Sequence, residues 1–303
     1  MIRATLQLCT YNRAHLLGRV LEACFEQNIP ADSYEVVLVN DGSRDGTPEV
    51  IEAARAEASC AFTVVNQENA GLARARNRGI ARARGERIVF IDDDVLPVPS
   101  FLEEHLRSHE RTPEAVVRGA VINTESFERL PVPVWTPANY SGNFFWTTNV
   151  SAPLAKIREV GAFSESFREY GWEDIELGMR LRAAGLHGVF NRFALAFHYK
   201  PAPEASDVEG MLRQARAQAR TAVQLRELHP HWRVVLATAD DPLRRSWHRL
   251  GRTLGIPQRL ARIVATAPPQ GPLAGTHLAA TRALAREMYF AELELARLTP
   301  PNA

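Results

Sequence analysis

Three consecutive aspartates, Asp92, Asp93 and Asp94, have the type and spacing that most directly indicate chemistry in this sequence. Adjacent carboxylates repel one another, so a fold keeps them together only when something offsets that repulsion. A hard divalent cation does so through oxygen ligands, and Mg²⁺ or Mn²⁺ commonly bridges to substrate phosphates. The aspartates follow an apolar run, which favours a metal site at the end of a strand. The alternative is an exposed acidic turn or a helix start.

A second acidic segment, residues 171–178, places Glu173 and Asp174 directly after Trp172 at the start of a predicted helix. A carboxylate beside a bulky aromatic ring is partly desolvated, which raises its pKa toward the working range of a general base. The aromatic face also suits stacking on a sugar ring. Taken alone, the segment is more typical of an N-terminal helix cap, and Glu176 is interpreted as a helix-surface or capping acid.

Residues 69–79 combine a flexible backbone position with positive charge. Gly71 permits close approach of a ligand to the backbone. The arginines that follow supply donors that match phosphate oxygens; they are Arg74, Arg76 and Arg78. For any one of these arginines taken alone, a solvated basic helix face is the alternative.

His198 ends a strand-like run, and a lone histidine is more often structural than a ligand. Its candidacy depends on the aspartates, because two carboxylates and one imidazole would complete a Mn²⁺ site of mixed oxygen and nitrogen ligands.

The elements that must position these residues alternate between strands and helices. Apolar runs predict strands at residues 6–9, 35–39, 62–65, 87–91 and 189–199. Apolar spacing of three and four predicts helices at residues 14–27, 70–83 and 171–184, with another opened by Thr47 as N-cap and Pro48. This alternation predicts a parallel sheet with right-handed crossovers. Ligands bind at the carboxyl ends of such strands, where residues 10–13, 41–43 and 92–94 lie.

Two other regions differ in composition. Residues 127–146 are rich in proline and aromatic residues and are predicted to be a long shaped loop, of the kind that forms a binding element or lid. Residues 201–303 are predicted to be a helical appendage interrupted by prolines, Pro269 among them. The expected organisation is a catalytic domain at residues 1–200 and a C-terminal helical region at 201–303.

Charge and cysteine content exclude several classes of protein. The formal net charge is +1, which gives no global basic field for nucleic acid. Residues 201–303 contain 14 Arg, no Lys and nine acidic residues, which leaves 22 basic and 26 acidic residues in the remainder. Such a tail suits contact with phosphate or an anionic membrane surface, although a solvated helical face is the ordinary alternative.

The cysteine count is odd, with Cys9, Cys24 and Cys60, and it fits a reducing compartment. There is no apparent signal peptide and no apolar run long enough to span a bilayer. We therefore expect a cytoplasmic protein, at most peripheral to the inner face of the membrane.

Five segments in this order resemble family 2 glycosyltransferases of the GT-A fold: residues 10–13, 40–47, 69–79, 90–94 and 171–182. The resemblance covers about residues 2–200. It implies an α/β protein with a Rossmann-like, mostly parallel sheet flanked by helices. A galactosyltransferase-like subgroup has a segment similar to residues 171–174. The family often has two acids before Gly-Ser, and here the first of them is Asn40.

The resemblance implies roles for individual residues. Asp174 would be the catalytic base, with Glu173 as second choice. Asp41 would accept a hydrogen bond from the ring N–H of the nucleotide's base. The nucleotide-sugar-binding residues would be Thr10, Tyr11, Asn12, Arg13, Asp41, Gly71, Arg76, Asn77, Asp92 and Asp93. The residues facing the sugar or the acceptor would be Trp146, Asn149 and Trp172, and the metal ligands would be Asp94, Asp92 and His198.

The activity implied is inverting transfer of a sugar from a nucleoside diphosphate, with UDP favoured, to an acceptor hydroxyl in a single displacement. Mn²⁺ or Mg²⁺ would neutralise the leaving group. The acceptor would be a glycan, a lipid-linked molecule or a small molecule. A nucleotidyltransferase would need a Gly-rich loop and a lysine near the first strand, which are not found there. A non-catalytic sugar-nucleotide-binding protein is the other alternative. A dinucleotide-binding dehydrogenase lacks support, since no G-x-G-x-x-G follows the first strand.

Overall fold

The structure, a computed structural model, describes residues 1–140, 142–268, 271–273 and 275–298. The chain divides into two compact units. The first unit comprises Met1–Arg168 and Glu173–Pro201, and the second comprises Glu169–Trp172 and Ala202–Ala303. The predicted break at Pro269 and the predicted helical character of residues 299–303 lie outside the described residues.

Eight strands of the described part of the chain form one mixed sheet in the first unit. They are β1 (Ala4–Thr10), β2 (Tyr34–Asn40), β3 (Ala61–Asn66), β4 (Arg87–Ile91), β5 (Val95–Pro97), β6 (Ala115–Thr124), β7 (Asn149–Pro153) and β8 (His187–Tyr199). Their order across the sheet is β3-β2-β1-β4-β7-β6-β8-β5.

The sheet is parallel in its first half and mixed in its second half. Strands β3, β2, β1 and β4 pair in parallel, as predicted for buried apolar strands joined by helices. β7 then pairs antiparallel with both β4 and β6, and β5 pairs antiparallel with β8. The sequence analysis did not predict β5, β6 or β7. β7 combines small and polar residues, which lack the apolar run used to predict strands.

The described helices of the first unit are α1 (Ala14–Phe25), α2 (Thr47–Glu57), α3 (Leu72–Arg82), α4 (Phe101–Arg111), α5 (Leu154–Glu159) and α6 (Glu173–Ala183). Four of them, α1, α2, α3 and α6, were predicted from the sequence, whereas α4 and α5 were not. The prediction of Thr47 as an N-cap is off by one residue, because Gly46 takes the cap position. Thr47 instead lies inside the helix, where its hydroxyl accepts a hydrogen bond from the Arg13 backbone N–H.

Two apolar clusters cover the opposite faces of the sheet. Because side chains alternate along a strand, Val89 and Ile91 of β4 join one cluster, and Ile88 and Phe90 join the other. The first cluster includes Leu17 and the other buried residues of α1, and the second includes the inner faces of α3 and α6. The sheet is therefore packed on both sides, and its strand ends carry the polar residues.

The second unit is helical in its described residues. Its helices are α7 (Val208–Leu228), α8 (Trp232–Ala237), α9 (Pro242–Thr253), α10 (Ile256–Ala265) and α11 (Gly275–Leu298). A small core that includes Ala219, Ala222 and Phe290 joins α7 to α11. Among the described helices, none combines the length and apolar character needed to cross a membrane.

Candidate active site

The ends of β1, β2 and β4 bring the predicted site segments to one edge of the sheet. β1 and β2 run parallel in a register that pairs Thr10 with Asn40. The backbone N–H of Asp41 then donates to the carbonyl of Thr10 at 2.9 Å. β4 lies on the other side of β1 and leads into the three aspartates. Parallel pairing thus places three loops side by side.

Arg76 connects the aspartates to the second acidic segment. Its guanidinium donates to Glu173 Oε1 at 2.8 Å and to Asp92 Oδ1 at 3.3 Å. It also donates to Thr147 Oγ1 at 2.7 Å and lies over the ring of Phe163. With 4% of its surface exposed, Arg76 is a buried cation held by groups from α6, the end of β4 and the approach to β7.

Helix α3 holds Arg76 in this position because glycines allow close packing at two points. Gly71 precedes the helix with φ of +88°, a conformation that disfavours other residues. A Cβ atom at Gly79 would lie 2.5 Å from Gln7 Nε2, so glycine lets α3 pack closely against β1. The sequence analysis assigned the flexible position to Gly71 and made no use of Gly79.

A second group of charged and titratable side chains consists of Arg13, Asp93, Asp94 and His198. Arg13 lies 3.7 Å from both Asp93 Oδ1 and Asp94 Oδ2. Asp94 Oδ1 lies 3.7 Å from His198 Nε2. Pairing of β5 with β8 sets this approach, because Val95 is registered opposite His198. Asp94 and His198 therefore lie near each other, and their role as metal ligands stays a prediction.

Burial and neighbouring negative charge disfavour the ionised forms of Asp93 and Asp94. Burial raises the pKa of the Asp93 carboxyl to about 7. Burial, followed by the charge of Asp92, also raises the pKa of Asp94, while His198 and Arg13 oppose that rise. Carboxylates in such surroundings gain from an added positive charge.

The donor chemistry fits a hard divalent cation, with carboxylate oxygens and one imidazole nitrogen. Among the described residues, however, no group of three or more His, Cys, Asp or Glu side chains is arranged to hold a metal. The Asp92 carboxylate accepts from Thr148 Oγ1 at 2.8 Å and from Arg76, so part of its acceptor capacity is used within the protein. Mg²⁺ is usually bound through one or two carboxylates together with waters and substrate phosphates, so two protein ligands are sufficient.

Asp174 lies beside Glu173 at the first turn of α6. Its carboxylate accepts from the backbone N–H of Ile175 at 2.7 Å. Burial raises the pKa of Asp174 to about 7; the charge of Glu173 also raises it, and Arg76 opposes the rise. Glu173 is committed to Arg76, whereas Asp174 has no side-chain partner among the hydrogen bonds of the described residues.

Asp41 organises the loop that leads into α3. Its Oδ1 accepts from Gln67 Nε2 at 2.6 Å and from Ala70 N at 2.9 Å. Its Oδ2 accepts from Gly71 N at 3.1 Å. A carboxylate offers about four acceptor positions, so Asp41 keeps capacity for a further donor. Its predicted contact with a nucleotide base stays a prediction.

The loop after β1 is braced against residues 43–47. Asn12 adopts a positive φ of 54°, accepts from Arg44 N through Oδ1 and donates its backbone N–H to Ser43 Oγ. Tyr11 is 47% exposed, and the Thr10 side chain is buried. The loop therefore presents Tyr11 and Arg13 outward from a fixed backbone.

Two of the predicted ligand residues bind groups of the protein through their side chains. Asn149 is 1% exposed, donates to the carbonyls of Ala120 and Ala194, and pairs with His105 Nε2 at 3.0 Å. It joins β7 to β6 and β8, and its predicted contact with the sugar stays a prediction. Asn77 likewise exchanges hydrogen bonds with the backbone N–H and C=O of Phe163.

The two predicted aromatic contacts have different surroundings. Trp146 is half-buried just before β7, and its carbonyl accepts from Asn149 N. Trp172 belongs to the second unit, where its indole N–H donates to the carbonyl of Gln218 at 2.8 Å and its ring packs on the core between α7 and α11. Trp172 thus has a packing role that the sequence analysis did not predict.

Sequence analysis missed three polar residues that contact the site. Thr147 and Thr148 bind Arg76 and Asp92 through their hydroxyls, and Gln67 binds Asp41. Thr147 and Thr148 directly precede Asn149, for which the resemblance implies a contact with the sugar or the acceptor. Their position was therefore detectable in part. Threonine and glutamine are common surface residues, and only the tertiary contacts distinguish these three.

Comparison with known proteins identifies the class. A family model described as glycosyl transferase family 2 matches residues 5–158, half of the chain. The chain therefore belongs to glycosyl transferase family 2. This membership confirms the predicted family.

Proteins similar in sequence to this chain are named as glycosyltransferases. The chain is 32% identical over 216 residues to validoxylamine A glucosyltransferase of Streptomyces hygroscopicus subsp. jinggangensis, which covers 58% of this chain and 50% of the relative. It is 24% identical over 266 residues to the uncharacterized glycosyltransferase YfnE of Bacillus subtilis, covering 69% and 67%. The chain thus spans about half the length of the first of these relatives.

Solved structures confirm the GT-A fold. A mannosyltransferase of Pyrobaculum calidifontis, PcManGT, in complex with GDP-Man and Mn²⁺, superposes with a TM-score of 0.62 at 20% identity, covering 99% of this chain and 88% of that one. TarS 1–349 of S. aureus in complex with UDP gives a TM-score of 0.55 at 16% identity, covering 100% and 93%.

Proposed function

We propose that this glycosyltransferase moves a sugar from a nucleoside diphosphate, with UDP as the first candidate, to an acceptor hydroxyl by a single inverting displacement. The observation that carries the proposal is the buried Arg76, which joins Asp92 to Glu173 beside Asp174. Residues far apart in the chain thus meet in one polar cluster at the carboxyl ends of the strands, where α/β sheets bind ligands.

The donor half of the cluster is formed by the first two loops. Asp41 offers acceptor capacity for a base N–H, and the loop at residues 10–13 presents Tyr11 and Arg13 beside it. Arg13 and Arg76 are cations on either side of the aspartates and suit a diphosphate, since guanidinium groups match phosphate oxygens. The relatives solved with UDP and with GDP-Man support a nucleotide sugar and leave two bases to compare.

A divalent cation, Mn²⁺ or Mg²⁺, would be held by Asp94 and His198 and would offset the charge that develops on the leaving diphosphate. The raised pKa of Asp94 and its 3.7 Å distance from His198 support this pair as ligands. Asp92 is more strongly tied to Arg76 and Thr148, so we assign it to positioning.

Asp174 is proposed as the base that takes the proton of the acceptor hydroxyl. With a pKa of about 7, the carboxylate is ionised in about half of the molecules at neutral pH and is basic enough to accept a proton. Glu173 is less suited, because its carboxylate is bound to Arg76. Glu173 then holds Arg76, and Arg76 stabilises the negative charge shared by the cluster.

The acceptor is a glycan, a lipid-linked molecule or a small molecule. A relative named for validoxylamine A supports a small acceptor, and one named for poly(ribitol-phosphate) supports a polymer. The cytoplasm is the proposed location, as expected from the three cysteines, which are free.

The test of the base is Asp174→Asn. The variant should bind donor like the parent and lose transfer by about 10²–10⁴-fold, the usual contribution of a general base. Donor binding is measured by thermal shift, and transfer by release of nucleoside diphosphate. Asp32→Asn, at an exposed position, is the matched control and should transfer at the parental rate. Parental transfer by Asp174→Asn excludes it as the base.

The test of the donor and metal is a thermal-shift panel with UDP-, GDP- and dTDP-sugars, each with and without Mn²⁺. A ligand that binds the native state raises its stability, so the true donor gives the largest shift. Asp94→Ala should remove the part of the shift that depends on Mn²⁺. Full turnover in excess EDTA contradicts the metal role.

A further inference from the structure

Helix α9 of the second unit exposes its apolar residues. They are Leu243, Trp247, Leu250 and Leu254 just after the helix, with exposures of 83%, 72%, 52% and 59%. Their spacing of four, three and four places them within an arc of about 60° on a helix that turns 100° per residue. We call these four residues the apolar stripe. An exposed apolar stripe of this kind marks a contact surface more often than a solvated face.

The opposite side of α9 is polar and faces α11. His248 stacks on Phe290 with centroids 3.8 Å apart, and its Nδ1 lies 2.6 Å from Glu287 Oε1. Arg249 and Arg252 both pair with Glu294. Helix α9 is thus inverted relative to an ordinary surface helix, because its polar side is anchored to the protein and its apolar side faces outward.

The surroundings of the apolar stripe carry excess positive charge. Residues 242–265 contain six arginines and no acidic residue. Asp241 pairs with Arg244, and the other acids that pair with these arginines are shared: Glu294 holds two arginines, and Asp240 is contacted by Arg226, Arg245 and Arg297. Sharing leaves a net positive charge on this surface.

Helix α10 continues the same character. Arg259 and Arg262 are exposed and have no ion pair among the described residues. None of the described residues of α10 is fully buried, and Ile256 and Ile263 are 36% and 41% exposed. An apolar surface next to unneutralised arginines is complementary to a layer that is anionic at its surface and apolar beneath it.

We propose that the apolar stripe of α9, with the arginines of α9 and α10, docks the enzyme on an anionic lipid bilayer. Trp247 and the leucines would enter the boundary between headgroups and acyl chains, as interfacial helices do. Arg259 and Arg262 would meet anionic headgroups, an attraction worth about 1 kcal/mol per residue near such a surface. This docking goes beyond the proposed sugar transfer and does not depend on it.

The experiment measures binding of the full chain to vesicles by co-sedimentation, without donor or acceptor. The parent should bind vesicles of phosphatidylcholine with phosphatidylglycerol at low salt, bind pure phosphatidylcholine more weakly, and be released as salt rises. Leu243→Gln combined with Trp247→Gln should weaken binding at least about tenfold, since two large apolar side chains no longer enter the apolar layer. Arg259→Gln combined with Arg262→Gln should reduce the preference for the anionic vesicles.

The matched control is Val132→Gln combined with Phe193→Gln, which removes two exposed apolar side chains from the first unit. It should bind vesicles like the parent, and thermal unfolding should show that all three double variants are folded. Failure of the parent to bind anionic vesicles overturns the proposal, as does parental binding by the stripe variant. A self-associating parent that ignores vesicles and becomes monomeric in the stripe variant shows that a second copy covers the stripe, which also overturns it.

Discussion

Arg76 in the first unit and Arg249 in the second both pair with glutamates, yet their surroundings differ. The Arg76 side chain is 5% exposed and contacts acids from two elements, whereas the Arg249 side chain is 63% exposed and pairs with one glutamate of α11. A buried charge whose partner is removed is costly, while an exposed pair contributes little. The first pair therefore determines where a reactive cluster forms, and the second orients a helix.

The difference shows how one residue type has two uses in this chain. In the first unit, charges are buried together because a polar ligand site needs them preorganised away from water. In the second unit, the ion pairs draw the polar side of α9 inward, and the apolar side is left exposed.

Arg76→Met should lower the free energy of unfolding by about 3–5 kcal/mol, because Glu173 and Asp92 lose their buried cation. Denaturant unfolding measures the loss. Arg76→Lys keeps the charge but not the forked geometry and should fall between the parent and Arg76→Met. An effect no larger than that of Arg249→Met would remove the contrast between the two arginines.

His248→Leu should lower the free energy of unfolding by about 1–3 kcal/mol, because it strands the buried carboxylate of Glu287. Adding Glu287→Met should recover part of the loss, and a double-mutant cycle gives the coupling energy. A coupling energy near zero would show that α9 is held in place by packing against Phe290 alone.

The rate of transfer should depend on pH through Asp174. Burial and Glu173 raise the pKa of this carboxyl to about 7, against the opposing charge of Arg76, and Asp92 adds to the rise. Only the ionised form accepts a proton, so kcat/KM should fall about tenfold per pH unit below 7 and level off above it. Glu173→Gln removes a neighbouring negative charge and should move this limb to lower pH. A profile that is flat from pH 5 to 8 contradicts the assignment.

Arg249→Met should change the free energy of unfolding by less than about 1 kcal/mol, since the pair is largely solvated and Glu294 keeps Arg252. The same denaturant titration measures it. A larger loss would mean that the outward orientation of α9 depends on this ion pair. The exposed pair of the second unit would then contribute to stability as a buried pair does.

Much of the fold was predictable because local patterns agree with the tertiary arrangement. Buried apolar runs predicted β1, β2, β3 and β4, and apolar spacing predicted α1. The antiparallel strand β7 was missed, because its residues are small and polar and its burial comes from neighbours on both sides. Strands of this kind are defined by pairing, which a single segment does not encode.

The candidate site was predictable in its residue types and less so in its contacts. The aspartates, Glu173 and Asp174 were recognised from their order along the chain, and they meet through Arg76. Asn77, which lies in the motif segment 69–79, and Asn149 are bound to backbone carbonyls of the protein. An asparagine side chain binds backbone groups or a ligand with equal ease, so its sequence position does not determine its role.

The sequence by itself determined the family, the alternating strands and helices of the first half, and the presence of an acidic cluster. These follow from periodicity and from motifs whose order along the chain is specific. Three outcomes needed the tertiary structure: Arg76 joins Asp92 to Glu173, Thr148 binds Asp92, and α9 faces outward with its apolar side. Those outcomes depend on which distant groups compete for one charge or one surface, because electrostatic and packing energies are set by distance and burial and not by order in the chain.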